Sequence, residues 1–269
     1  MKALCERYAV TRAGYYAWRR REPSGHDRQD ERLLARIRAI VEGSEGTYGS
    51  PRIHAALVQA GWPVGRKRVA RLMRESGFKA RSARIYRRTP GTRTFFAAIP
   101  NRVLGIRTTA PNQIWVGDVT YVKSAGQWRY LAVVMDRHSR RILGWGLAPR
   151  RDLPLTLAAL NRALLRRRPV PGLIFHSDRG VEFSAYAFRA RLAALGLTQS
   201  MTRPREIGDN AFIESFFHTL KADVIHGHVF DDAHPLRMAI SHDTRRYNRT
   251  RMHSSLDYRS PIDYERIAV

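Results

Sequence analysis

Between residues 113 and 200 the hydrophobic pattern changes its period, and that change limits the fold more than any other feature of the chain. "QIWVGDVTYVKSAG" alternates as a half-buried strand does, and "QWRYLAVVMDRHSRRILGWGLA" reads as two further strands that meet at His138–Ser139. A helix is predicted over roughly Pro154 to Arg167, a strand over 172–176 and a helix over about Ser184 to Leu195. A short strand, Leu197 to Ser200, leads to another helix from about Asn210. Three strands followed by alternating helices and strands predict an α/β fold, a mixed sheet with helices on both faces.

The region ahead of it reads as all-α. "MKALCERYAVTRAGYYAWRRR" predicts two short helices in a segment spanning 1–22, with Thr11 as N-cap of the second. "EPSGHDR", residues 22–28, reads as a polar break. Residues 30–42 carry Leu33, Leu34, Ile37, Ile40 and Val41 at helical spacing. "YGSPRIHAALVQAGWPVGRKRVARLMRESGF" then predicts a helix pair, with Ser50 and Pro51 as N-cap and first turn and Gly77 as the stop. The second helix turns Val69, Leu72 and Met73 inward and presents Arg66, Lys67, Arg68, Arg71 and Arg74, while Arg52 opens the first. This is a helix-turn-helix layout, expected as a DNA-binding domain over 30–80, with Lys67 and Arg71 as the base-facing pair. A solvated basic face is the alternative. Residues 81–110 read as a basic, extended linker, and 111–269 as the catalytic domain with a C-terminal helical extension.

Charge supports a polyanionic partner. The 269 residues hold 48 Lys+Arg against 23 Asp+Glu, a net charge of +25. Such an excess repels itself unless something anionic neutralises it, and nucleic acid suits this better than a membrane surface. The one cysteine, Cys5, excludes an internal disulfide and a cysteine-based zinc site. No run is long and apolar enough to span a bilayer, and no signal-peptide pattern opens the chain, so a cytoplasmic protein is expected.

Three carboxylates stand where chemistry is expected. Asp118 interrupts a central strand, where an unpartnered acid is costly. Asp178 closes the strand of "GLIFHSDRGVEFSA", and sites in open α/β sheets gather beyond strand ends. Glu214 lies in "GDNAFIESFFHTLKAD", on a polar stripe Asn210–Glu214–His218–Lys221 beside an apolar surface of Phe212, Ile213, Phe216, Phe217 and Leu220. Oxygen ligands of this kind suit Mg²⁺ or Mn²⁺, but spacing alone also admits surface salt bridges or caps. Arg179, His218 and Lys221 are candidate DNA contacts. His176, like Arg179, is a candidate contact to phosphate or the scissile strand, with a satisfied strand-end role as the alternative, and Asn210 either orients Glu214 or caps its helix.

The segments "WVGDVTYV", "HSDRGVEFSA" and "GDNAFIESFFHTLKAD", followed by "YNRTRMHSSLDYRSPIDYE", resemble the catalytic region of bacterial insertion-sequence transposases of the IS-three family, within the retroviral-integrase superfamily. Asp178 follows Asp118 by 60 positions, and Glu214 follows Asp178 by 36. The resemblance runs from the N-terminal helices to the C-terminus. It implies a ribonuclease-H-like catalytic core preceded by the helix-turn-helix, with Asp118, Asp178 and Glu214 as a DDE triad holding two Mg²⁺ ions, for which Mn²⁺ substitutes. The implied reaction is cleavage at the element's ends and transfer of the 3′-OH into target DNA. Double-stranded DNA is the implied partner, as terminal inverted repeats and target, with a homo-oligomer on the DNA and a nucleoid-associated location. The chain resembles a second-reading-frame product, whose relatives are commonly fused to an upstream half. Glu182–Phe183 stands where the family more often has Gln–Tyr. A related nuclease without an element of its own, and a non-catalytic DNA-binding protein with a decayed core, stay open as alternatives.

Overall fold

The structure is a computed structural model in which residues 1–20, 22, 24–80, 99–204 and 206–267 are described. The chain divides into two compact units, Met1–Ala80 and Arg81–Val269.

The first unit is helical: α1 (Lys2–Arg7), α2 (Arg12–Arg20), α3 (Gly25–Gly43), α4 (Ser50–Gln59) and α5 (Arg66–Glu75). Thr11 caps α2, accepting from Gly14 N at 3.0 Å. The polar break at 22–28 is shorter than the composition suggests, because α3 begins at Gly25. Ser24 accepts from Asp27 N while Asp27 accepts from Ser24 N, a reciprocal cap. In α4 the N-cap is Gly49, so Ser50 and Pro51 both fall inside the first turn, one residue further into the helix than expected. Gly65 opens α5, and Gly77, at φ +72°, ends the chain's helical run. Leu33, Ile37, Ile53, Leu57, Val69, Leu72 and Met73 are buried where the three longer helices meet.

The second unit is a five-stranded mixed sheet in the order β3-β2-β1-β4-β5. Strands β1 (Ile114–Ser124), β2 (Gln127–Asp136) and β3 (Ile142–Ala148) form an antiparallel meander. After α6 (Leu153–Arg166), β4 (Ile174–Ser177) joins parallel to β1. After α7 (Val181–Ser184) and α8 (Tyr186–Ala194), β5 (Thr198–Met201) joins parallel to β4. A 3₁₀ turn, Ile207–Asn210, leads into α9 (Ala211–Leu220), which runs on as a π-helical turn, Lys221–Ile225. Then come α10 (Ala233–Arg249) and α11 (Pro261–Ile267).

Strand alternation sorts the core onto two faces. Ile114, Val116 and Val122 pack with Ile213, Phe216, Phe217, Leu220, Ile240 and Tyr247. Trp115, Val119, Leu143, Leu155, Leu160, Phe175, Phe183 and Phe188 fill the other face. Phe212 departs from the expected apolar set: it lies outside this cluster and stacks under the guanidiniums of Arg137 (4.8 Å) and Arg140 (3.9 Å). The expected linker is also shorter. Residues 81–98 lie outside the described residues, but Val103 is buried in the core and Arg102 N donates to Ser200 Oγ at 2.8 Å. The segment from 99 onward is therefore packed on the sheet.

The C-terminal residues are structural. Asn248 is pinned to the β3 backbone by paired bonds with Ile142, 2.8 Å to its N and 2.9 Å to its O. Tyr247 stacks on Phe216 and His253. Arg246 and Arg251 both pair with the buried Asp223.

One contact fixes the sheet against α6. A Cβ placed on Gly144 would stand 2.1 Å from the Ala159 carbonyl oxygen and 2.6 Å from the Ala163 nitrogen, and neither backbone atom can yield without moving the helix. Gly144→Ala is expected to cost about 3 kcal/mol. Urea unfolding measures it, and an unchanged midpoint would show that α6 does not sit this close.

Candidate active site

The register of β4 against β1 builds the site. Their parallel pairing covers only four positions and ends with Gly117 opposite Ser177. The next residue on each strand is a carboxylate, Asp118 and Asp178. By alternation Asp118 shares the face of Val116, and Asp178 that of Ile174, which is the face covered by α9. Glu214 is carried one turn into α9, between the buried Ile213 and the exposed Ser215. Asn210 holds the start of α9 at the same place. Its side chain makes no cap, but its Nδ2 donates to the Gly117 carbonyl at 3.4 Å, the residue before Asp118. Of the two roles expected of Asn210, the side-chain cap is not made.

Electrostatics single out Asp118, which feels both other acids. Burial raises the Asp118 pKa well above the ordinary carboxylate range. Asp178 adds to the rise, Glu214 adds less, and a bond from Val119 N and the Arg151 charge oppose it. Burial also raises Asp178, against the Arg151 charge and a 3.0 Å bond from Gly180 N. Lys221 is pushed down by burial and held up by Asp118. Among the described residues no three His, Cys, Asp or Glu side chains form a ready cation cage. The compensating cation is Arg151. Its Nη2 lies 3.4 Å from Asp178 Oδ2, and its Nε donates to Glu182 Oε1 at 2.7 Å.

Arg151 escaped the sequence reading. Its only local signal is its place in the short link between β3 and α6, beyond a strand end. Glu182 is fully buried and faces Arg151, so this departure from the family pattern serves as an anchor for the arginine. Gly180 makes room for it: a Cβ there would meet Glu182 Oε1 at 2.6 Å. His176 is buried, with Nδ1 2.9 Å from Ser200 Oγ, and burial lowers its pKa to about 4, so it is a neutral strand-end residue. Asp209 anchors the approach to α9. It takes bonds from Arg203 and Asn101, and the Arg203 bond, outweighing burial, lowers its pKa to about 2.

The cationic candidates separate. Arg66, Lys67 and Arg74 are exposed on α5. Arg68 and Arg71 instead pair with Asp30 of α3 at 2.6 and 2.5 Å, and Arg71 also pairs with Glu75. The reading of Arg71 as base-facing is therefore revised, since its guanidinium joins α5 to α3. Arg52 stacks on Tyr48. Arg179 braces the chain through the carbonyls of Thr202 (2.7 Å) and Ile99 (3.0 Å). His218 is exposed, and Lys221 Nζ lies over the Tyr121 ring at 4.7 Å.

A mixed sheet in which a carboxylate follows the last paired residue of each of two adjacent parallel strands, with a third on the covering helix, defines a ribonuclease-H-like integrase core. The comparisons agree. Residues 108–206 and 195–261 match two families each described as "Integrase core domain", and residues 28–86 match the family "HTH-like domain". The chain is 37% identical to the insertion element IS600 uncharacterized 31 kDa protein of Shigella sonnei, covering 97% of each chain. It is 34% identical to the transposase InsF for insertion sequence IS3A of Escherichia coli K12, covering 98% of this chain and 93% of that one. The fold matches a chain of the simian T-cell lymphotropic virus intasome solved with the PP2A regulatory subunit B56 gamma, at TM-score 0.52 and 17% identity, over 78% of this chain and 69% of that one. The chain belongs to the IS3 family of insertion-sequence transposases. Among the described residues no helix is long and apolar enough to cross a membrane.

The acid cluster has a stability cost that can be measured. Asp118 binds its proton more tightly folded than unfolded, so stability falls as pH rises from the ordinary Asp pKa toward the raised folded one. Asp118→Asn removes that loss. In chelator at neutral pH it is expected to be more stable than wild type by about 1 kcal/mol, with a flatter stability–pH profile. A destabilised variant with an unchanged profile would mean that Asp118 is not under this repulsion.

Proposed function

We propose that the chain is a DNA transposase whose reaction is carried by Asp118, Asp178 and Glu214, cleaving insertion-sequence ends and transferring the 3′-OH into target DNA. The observation that carries this reading is that Asp118 and Asp178 each follow the last paired residue of two adjacent strands, on the face covered by the helix that carries Glu214. A decayed core has no reason to keep so costly a cluster.

The donors fit divalent ions. All three are hard oxygen ligands, and their repulsion is the deficit a cation relieves. Two Mg²⁺ ions, or Mn²⁺ in their place, would be held by these three carboxylates; bound there they supply activation of the attacking hydroxyl and charge stabilisation at the leaving 3′ oxygen. The protein does the rest by positioning. The β1–β4 register sets Asp118 beside Asp178, and the Asn210 bond to Gly117 sets the height of α9 and so of Glu214. Arg151, held by Glu182, favours the charged form of Asp178 against burial and helps orient it. The same carboxylates serve cleavage and joining, because both are displacements at a phosphodiester. Duplex DNA is gripped through Arg66, Lys67 and Arg74 of α5, with His218 and Lys221 near the carboxylates, and the active form is an oligomer on DNA, alone or joined to an upstream-frame partner.

Asp178→Asn is expected to abolish strand cleavage and joining with Mg²⁺ while duplex binding persists. Asp118→Asn and Glu214→Gln should do the same, and double variants should lose no more than single ones. Wild-type turnover by any of the three would remove that residue from the mechanism.

For α5 the expected outcomes divide. Ala at Arg66, Lys67 or Arg74 weakens duplex binding and lowers the slope of log affinity against log salt by about one unit, with unchanged stability. A residue among them that reads a base instead costs about 1–3 kcal/mol on the element's own end alone. Ala at Arg71 chiefly lowers stability rather than binding, because its guanidinium is engaged by Asp30 and Glu75. Salt titrations and melting curves on each variant separate these, and unchanged binding by all three exposed-site variants would show that α5 does not dock on DNA.

A further inference from the structure

Beyond its four-residue pairing with β4, β1 runs on for seven residues with no strand on that side among the described residues. This free edge starts at Asp118 and ends at a tight two-residue turn, Ala125–Gly126, in which both residues have positive φ (50° and 74°). Such a turn matches strand twist and makes the β1–β2 arm stiff. The arm carries an exposed aromatic pair. Tyr121 is 46% exposed and Trp128 49%, although rings of this size are normally covered. They are diagonal cross-strand neighbours, since Tyr121 pairs with Tyr130 and Lys123 with Trp128. The rings meet edge to face, centroids 5.0 Å apart at 89°.

Each ring has a cation beside it. Lys123 Nζ lies 4.8 Å from the Trp128 ring centre, and Lys221 Nζ 4.7 Å from that of Tyr121. Lys221 comes from the π-helical turn that follows α9 and is near enough to Asp118 to feel its charge. One side chain thus links the aromatic pair to the carboxylates. Asp118 and Tyr121 are three residues apart, about 10 Å of strand. Alternation turns their side chains to opposite faces of β1, so it is Lys221, over the Tyr121 ring and within reach of the Asp118 charge, that connects the rings with the carboxylates.

We propose that Tyr121 and Trp128, flanked by Lys123 and Lys221, form a stacking platform for unpaired nucleotides beside the carboxylates. Bases stack on exposed rings whatever their sequence, and ammonium groups next to those rings meet the phosphates between the bases. A duplex buries the base faces and cannot use the rings, so the platform selects frayed or single-stranded DNA. It would hold the strand next to the phosphate being cut or joined. The proposal rests on the reading of the chain as a DNA-joining enzyme.

The test is binding by the full chain in chelator, so that no strand is cut. The probes are a blunt duplex and the same duplex with an unpaired thymidine tail, followed by anisotropy. Wild type should bind the tailed probe more tightly. Tyr121→Ala and Trp128→Ala should each lose about tenfold on the tailed probe and nothing on the blunt one, and Trp128→Phe should keep most of the gain. Because the chain has five tryptophans, the tail-induced fluorescence quench is read as the difference between wild type and Trp128→Phe, which should lack it. No gain from the tail, equal losses on both probes, or an unchanged quench in Trp128→Phe would overturn the platform. A wild type that binds the blunt duplex but ignores the tail overturns the platform alone, whereas one that binds neither probe overturns the DNA reading beneath it as well.

Discussion

The pairing of β4 with β1 is the constraint on which the rest of the second unit depends. β1 has eleven residues and β4 has four, so the sheet changes width in the middle of its central strand. A parallel pair fixes register by its hydrogen bonds, and here the last paired residues are Gly117 and Ser177. The two carboxylates follow at once, at strand spacing and on the face that α9 covers. A one-residue slip of β4 would turn Asp178 toward α6 and put Phe175 on the wrong side of the sheet. The buried Phe175, Phe183 and Phe188 cluster therefore guards the site's geometry from the opposite face. The length mismatch that creates the carboxylate pair also leaves the β1 edge open beyond it.

Magnitudes show that the site remains short of positive charge despite a chain of +25. Two carboxylates at the spacing of neighbouring strands repel by about 3 kcal/mol at an effective dielectric of about 20. Against this stands one Arg151–Asp178 contact at 3.4 Å between groups each more than a third exposed, worth at most about 1 kcal/mol. The stronger tie of Arg151 is to the buried Glu182. The arginine is thus held mainly by a residue other than Asp118, Asp178 or Glu214, which keeps it beside Asp178 without committing it there. The other cations nearby have other duties: Arg179 is spent on backbone carbonyls, and Lys221 rests on Tyr121.

What the sequence made legible was local. The three-stranded meander shows in its alternation because neighbouring strands are neighbours in the chain. Asp118 and Asp178 show as acids at places where acids are costly. The α4–α5 pair shows through its Gly and Pro punctuation. What stayed hidden depends on distant partners. Arg151 is one of 48 cations until β3, α6 and α7 bring it to Glu182, 31 positions away. Asn210 at a helix start reads as a cap, yet it bonds a carbonyl 93 positions earlier. Phe212 fits an apolar helix stripe, but two arginines of the β2–β3 turn claim it. The early start of α3 was legible in Ser24 and Asp27, whose spacing is that of a reciprocal cap; the Pro and Gly around them masked it.

The same contest between local pattern and distant partner decides which charges of α5 are available. Val69, Leu72 and Met73 point it inward, and Arg68 and Arg71 lie on the flank of that buried stripe. Asp30 on α3 takes both, so two of the five cations bind the helix into its own unit. The outward line is then Lys67, Ala70 and Arg74, at spacings of three and four, with Arg66 beside it, and all four are exposed. The line is about 10 Å long, shorter than the major groove is wide at about 12 Å. Its middle residue is an alanine, so nothing bulky stands between the two cations. An arginine kept on α3 by a carboxylate cannot also follow a phosphate, and the rigidity gained from that clamp is what lets a short cationic line be presented at one fixed angle.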